Sequence, residues 1–172
     1  AVSSATLWYS VDGGVWESQS LSHVSADTYA AAIPGQSAGR LIQFYVEAQD
    51  GMGMSTTFPA GGGASRALIR VQDGQAATRD IHNFRIWMTP ADTALLHTPT
   101  NRLSNATLPA TVIYNESEIF YDVGVSLRGS NAGRSDNNHV SFYISFDPTQ
   151  LFRGVHSTAV LDRSVPAATA QF

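Results

Sequence analysis

Apolar and polar residues alternate with a period of two through much of this chain, the pattern of strands with one face against a core. In TLWYSV (6–11), Leu7, Tyr9 and Val11 fall on one side, with Trp8 and Ser10 on the other. Asp12-Gly13-Gly14 then gives a hairpin signal, and VWESQSL (15–21) reads as the return strand. TYAAAI (28–33) ends at the turn dipeptide Pro34-Gly35. RLIQFYVEAQD (40–50) places Leu41, Gln43, Tyr45, Glu47 and Gln49 on one face and Ile42, Phe44, Val46 and Ala48 on the other. The second set is continuous and apolar, so it is the predicted core face. After Gly51-Met52-Gly53, MSTTF (54–58) pairs back and RALIRV (66–71) closes the segment. Six strands at this spacing predict an immunoglobulin-like β-sandwich over residues 1–72. Such a sandwich needs about seven strands. The shortfall predicts that opening strands are missing at the N-terminus, leaving an exposed sheet edge.

QDGQAATRD (72–80) is polar and without period, and residues 73–81 read as a linker. Strand character resumes in NFRIWM (83–88). MTPADTALLHT is the one good helix start: Thr89 is suited to the N-cap, Pro90 to the first turn and Asp92 to the positive end of the dipole. Leu95 and Leu96 are expected to anchor that helix. PATVIY (109–114) reads as a strand and NESE (115–118) as a polar turn. Over 118–129, Ile119, Tyr121, Val123, Val125 and Leu127 form the predicted inner face, opposite Phe120, Asp122, Gly124, Ser126 and Arg128. VSFYISF (140–146) turns Val140, Phe142, Ile144 and Phe146 inward, and LFRGV and STAVLD follow the Asp147-Pro148 turn. SVPAATAQF (164–172) has no period, and the chain is expected to stop short of a closing element. Residues 82–172 thus read as an antiparallel, β-rich (α+β) lobe with one short helix. The fold class is mainly β.

Composition narrows the partners. The 172 residues are 43% apolar, with a net charge of −4 and no basic stripe, so nucleic acid is not an expected partner. No run approaches the roughly eighteen apolar residues of a membrane-spanning helix. AVSSATLWYS shows neither the basic region nor the long apolar region of a signal peptide. Absence of cysteine excludes disulfides, thiol catalysis and zinc–thiolate sites. All ten cationic side chains are Arg, so lysine Schiff bases and lysine phosphate anchors are excluded too.

The candidate chemistry sits in GVSLRGSNAGR (124–134). Gly129 and Gly133 would let backbone N–H groups approach a phosphate beside Ser130, while Arg128 and Arg134 supply charge. The same composition also suits a plain hairpin loop. The stretch matches neither a Walker loop nor GxGxxG. Asp147 and Asp162 stand at strand ends, where turn and cap roles compete with metal ligation. Trp8, Trp16 and Tyr9 suggest either a sugar-stacking surface or ordinary sandwich packing. Asn105-Ala-Thr107 and Asn115-Glu-Ser117 match the glycosylation acceptor triplet. The five His are scattered singly, and no GxSxG elbow is present.

FYDVGVSLRGSNAGR, the strand ending SFD, and LFRGVHSTAVLDRS together resemble the N-terminal part of the spore-coat protein H (CotH) kinase family, over roughly residues 82–163. TLWYSVDGG, TYAAAIPGQSAG and FYVEAQDGMG resemble fibronectin type III or immunoglobulin-like domains of bacterial surface proteins. The resemblance implies an extracytoplasmic, secreted or surface-bound atypical kinase that uses ATP and Mg²⁺ to phosphorylate Ser or Thr of surface or spore-coat proteins. It adds support to nucleotide contact by Arg128, Gly129, Ser130, Gly133 and Arg134. It also implies that the catalytic and metal-binding aspartates belong to the part of the domain that would follow residue 172, so no catalytic residue and no metal ligand is expected in this chain. NNHVSF departs from the family by placing His139 where a basic residue, often lysine, is expected. The isolated chain should therefore be inactive. The rival reading is a non-enzymatic adhesion module whose partner is cell-surface polysaccharide.

Overall fold

The computed structural model describes residues 1–72, 74, 82–134 and 140–162. The linker at 73–81 (Gly74 apart), His139 and the segment 164–172 lie outside the described residues. The fold is mainly β with antiparallel sheets, as the alternation predicts. The first part holds β1 (Val2–Val11), β2 (Glu17–Ser20), β3 (Ser22–Ser25), β4 (Thr28–Ala30), β5 (Leu41–Asp50), β6 (Ser55–Phe58) and β7 (Leu68–Arg70). Its main sheet runs β2-β1-β5-β6, and β7 shares the β6 edge of β5 by pairing with its other end, Leu41–Gln43. β3 and β4 form a separate two-stranded hairpin.

That makes seven strands where the pattern predicts six. The additional one, β3, reads SHVS and is exposed throughout, so it has no apolar alternation to betray it. β4 is also shorter than TYAAAI suggests, ending at Ala30. On β5, Ile42 is buried as predicted, but Leu41 and Gln43 on the opposite face are buried too. Gln43 is satisfied there because its Nε2 donates to the carbonyls of Ser65 (2.5 Å) and Gly63 (3.3 Å).

The second part holds β8 (Phe84–Trp87), α1 (Pro90–His97), β9 (Leu108–Tyr114), β10 (Glu118–Arg128), the single turn α2 (Asn131–Arg134), β11 (Ser141–Ser145) and β12 (Thr158–Leu161), in the sheet β12-β11-β10-β9-β8. α1 starts as its sequence predicts: Asp92 N donates to Thr89 Oγ1 (3.1 Å), and that hydroxyl donates to the Asp92 carboxylate (2.7 Å). Only Leu96 anchors it, at 3% exposure; Leu95 is 44% exposed, one position round the helix.

The strict alternation along β10 does not hold. A bulge between Phe120 and Val123, with Asp122 in left-handed backbone geometry (φ 53°), shifts the face by one residue. Phe120 therefore joins Val123, Val125 and Leu127 in the core, while Ile119 is 40% exposed. Tyr121 faces the first part, edge-on to Phe44 (5.8 Å) and Phe58 (6.4 Å).

The bulge also presents the Asp122 carboxylate to the first part. Ser65 Oγ donates to it at 2.8 Å and Arg66 N at 2.5 Å. Arg66 Nε in turn donates to Asp92 at the start of α1 (2.6 Å). Leu68 N donates to Thr111 Oγ1 (3.0 Å), whose hydroxyl donates to Arg66 O. Ser65, Ala67, Leu68 and Thr111 are all buried. Residues 65–68 thus form a polar joint between the two sheets.

Candidate functional site

β10 and β11 pair with Ser126 opposite Tyr143 and Arg128 opposite Ser141, on the face away from the core. A cleft of about 350 Å³ opens on that face, lined by Asn105, Ser126, Leu127, Arg128, Arg134 and Tyr143. Two of its six lining residues are the arginines of the predicted loop.

The loop is more than a hairpin. Gly129 takes φ 105°, a conformation that favours glycine, and the chain then winds into α2. Ser130 organises that turn: its Oγ accepts from Gly133 N (3.3 Å) and its carbonyl from Arg134 N (2.9 Å). Arg134 folds back across the loop. Its Nε donates to Gly129 O (2.8 Å), and its terminal nitrogens donate to Arg102 O (3.0 Å), Ser104 O (3.2 Å) and Asn105 Oδ1 (3.4 Å). Those acceptors are neutral oxygens, so they orient the guanidinium and leave its charge in place. Arg128 is exposed at the lip of the cleft. The structure therefore brings Arg128 and Arg134 to one cleft and makes Gly129, Ser130 and Gly133 the turn that positions them. Gly133 is buried, facing away from solvent.

Two further clefts continue along the same side. One, of about 250 Å³, is bordered by Thr107, Gly124, Ser145 and Asp147 among others; the next, of about 380 Å³, lies against Phe58, Tyr121, Thr149 and Gln150. Asp122 and Asp147 border both. Asp147 is a turn residue: its Oδ1 accepts from Thr149 N (2.8 Å) and Thr149 Oγ1 (2.5 Å), and these bonds hold its carboxyl below the usual range. Asp162 is exposed beyond the end of β12. Among the described residues, no group of three or more His, Asp or Glu could hold a metal ion.

The other candidates resolve locally. Asn105 is the last acceptor of Arg134, and Asn115 occupies a left-handed turn position where its Oδ1 accepts from Asn83 N. Trp8 lies on the outer face of β1, stacked on Tyr45, while Tyr9 is buried on the other face, donating to Glu17 (2.7 Å). Sequence reasoning missed Asn105, Ser126 and Tyr143 as parts of the cleft. The signal for the last two was available: Ser126 lies two positions before Arg128, on the same predicted face. Asn105 required the long-range fold of the 98–107 segment, which has no periodicity. Among the described residues, no helix is long and apolar enough to cross a membrane. No family model matches this chain, and neither the curated proteins nor the solved structures show a significant match to it.

Proposed function

We propose that this chain is the nucleotide-facing β portion of a CotH-like atypical protein kinase of a bacterial surface or spore coat. One observation supports the reading above the others: Arg128 and Arg134 share a cleft, and the acceptors of Arg134 are uncharged. Such a pair favours a phosphate: Arg128 at the lip can bond its oxygens through several N–H groups at once, while Arg134, most of whose N–H groups bond protein oxygens, adds positive charge. In this reading Arg128 meets the terminal phosphates of ATP at the lip of the cleft. Arg134 supplies charge from below, and Gly129, Ser130 and Gly133 fix the loop. Tyr143, beside Ser126, is placed to contact the rest of the nucleotide.

Mg²⁺ does not fit the described residues of this chain. Asp147 is taken up by Thr149, and Asp122 by Ser65 and Arg66. The proposal therefore gives this chain phosphate positioning and assigns metal binding and phosphoryl transfer to carboxylates outside it.

Titration of the chain with ATP, followed by NMR, tests the reading. Millimolar affinity is expected, with shifts centred on Gly129 and Ser130. Arg128→Ala should weaken it about tenfold, the equivalent of roughly 1.4 kcal/mol. Unchanged affinity in that variant would remove Arg128 from the site. Micromolar affinity would overturn the division of labour, since half a site would then suffice.

A further inference from the structure

The outer face of the first sheet carries a second grouping of side chains, remote in sequence from the loop at 128–134. Trp8 and Tyr45 are direct cross-strand partners of β1 and β5. Their rings lie 6.0 Å apart at an interplanar angle of 9°. Trp16 meets Tyr45 edge-on at 5.2 Å and remains 37% exposed. The turn at Gly63 abuts the Tyr45 and Trp16 rings; a Cβ there would sit 3.6 Å from Tyr45. The rings are thus supported from one side by backbone, and none of the three is fully buried.

The surroundings are hydroxyl-rich. Ser18 lies opposite Trp8 on β2, and Thr6 and Thr57 flank Glu47 on the neighbouring strands. Glu47 Oε2 accepts from Trp8 Nε1 (3.2 Å), which fixes both the indole and the carboxylate. Oε1 of the same carboxylate keeps its lone pairs for another donor.

We infer that this face is a binding platform for a neutral, ribbon-like polysaccharide. Trp8 and Tyr45 stack on each other and carry Trp16 edge-on, so the indole of Trp16, the most accessible of the three, offers the apolar surface for the C–H face of a sugar ring, and the hydroxyl and carboxylate groups beside the cluster serve hydrogen bonds at the ring edge. A single-stranded nucleic acid also stacks on aromatic side chains, but its phosphates need Lys or Arg along the path. The charged group in contact with these rings is a carboxylate, which repels phosphate and sulfated glycans alike. An apolar protein partner would be served by the rings and hindered by the hydroxyl border. The platform is independent of the phosphate cleft and adds an anchoring site on the first part.

Cellohexaose and chitohexaose, titrated by tryptophan fluorescence and calorimetry, are the probes. Saturable binding of at least one is expected, with at least tenfold loss in Trp16→Ala and in Tyr45→Ala and near-normal affinity in Tyr45→Phe, which keeps the ring. Circular dichroism checks that each variant is folded. Trp16 lies outside any strand, so its replacement keeps the test valid if Tyr45→Ala unfolds. Failure of both hexasaccharides to bind would overturn the inference. So would affinity retained in Trp16→Ala, or a sulfated heparin hexasaccharide binding more tightly than either probe.

Discussion

Gly124 is a residue whose identity is dictated by one neighbour. It sits mid-strand in β10, and a Cβ there would lie 2.5 Å from Thr107 Oγ1 and 2.8 Å from Thr107 Cβ. Both distances are inside contact, and Thr107 is held by the segment that leads into β9. Gly124→Ala should therefore lower the unfolding free energy by about 1–3 kcal/mol, the usual cost of overpacking. Urea denaturation checks this, and Thr107→Gly in the same chain should recover most of the loss. Asp12 illustrates a different dependence. Arg40 donates to its carboxylate and Leu41 N donates at 2.8 Å, and these bonds, that of Arg40 foremost, hold the carboxyl below its ordinary value. A carboxyl depressed on folding stabilises above its unfolded pKa, near 4, and loses that contribution as pH falls through the folded value. The melting temperature should accordingly drop more steeply between about pH 5 and pH 2 in the wild type than in Asp12→Asn. Equal slopes would show that the pair at this exposed position adds nothing.

At the scale of elements, legibility in the sequence followed the strength of local chemistry. α1 was readable because three signals, Thr89, Pro90 and Asp92, agree on one start, and β11 because Phe142 and Ile144 within it, with Val140 and Phe146 at its flanks, keep a period of two. β3 was not, since SHVS carries no apolar face and exists only by pairing with β4. The face of β10 was half legible: the alternation is real on each side of Asp122, but a bulge shifts it and leaves no mark in composition. Within the site, the arginines and glycines announced a loop. They did not announce that Arg134 would also tie the loop to a distant segment through Arg102 O and Ser104 O. The Trp8–Tyr45 pairing was equally hidden, as register between β1 and β5 cannot be read from either strand alone.

At the scale of the whole molecule, the two parts are joined by buried and half-buried hydrogen bonds and not only by covalent connection. Asp122 accepts from a side chain and a backbone amide of the first part, and Thr111 engages the same segment from β9. The wild-type chain should consequently unfold in a single transition, whether followed by far-UV circular dichroism or by tryptophan emission. Asp122→Ala strands the Arg66 amide and the Ser65 hydroxyl, at a cost of about 2–3 kcal/mol. It should separate the unfolding of the two sheets into two steps. Asp122→Gly, which accepts the left-handed backbone at no steric cost, should behave in the same way. If it restored a single transition, backbone strain and not the carboxylate would be responsible.

The strand that receives this joint is also the strand that ends at Arg128. Tension applied to the first sheet would be delivered through the Asp122 carboxylate into β10 and through Thr111 into β9. It would travel along one unbroken run of backbone to the lip of the cleft. A pull on one end of the molecule would thus be felt at the other without any intervening hinge.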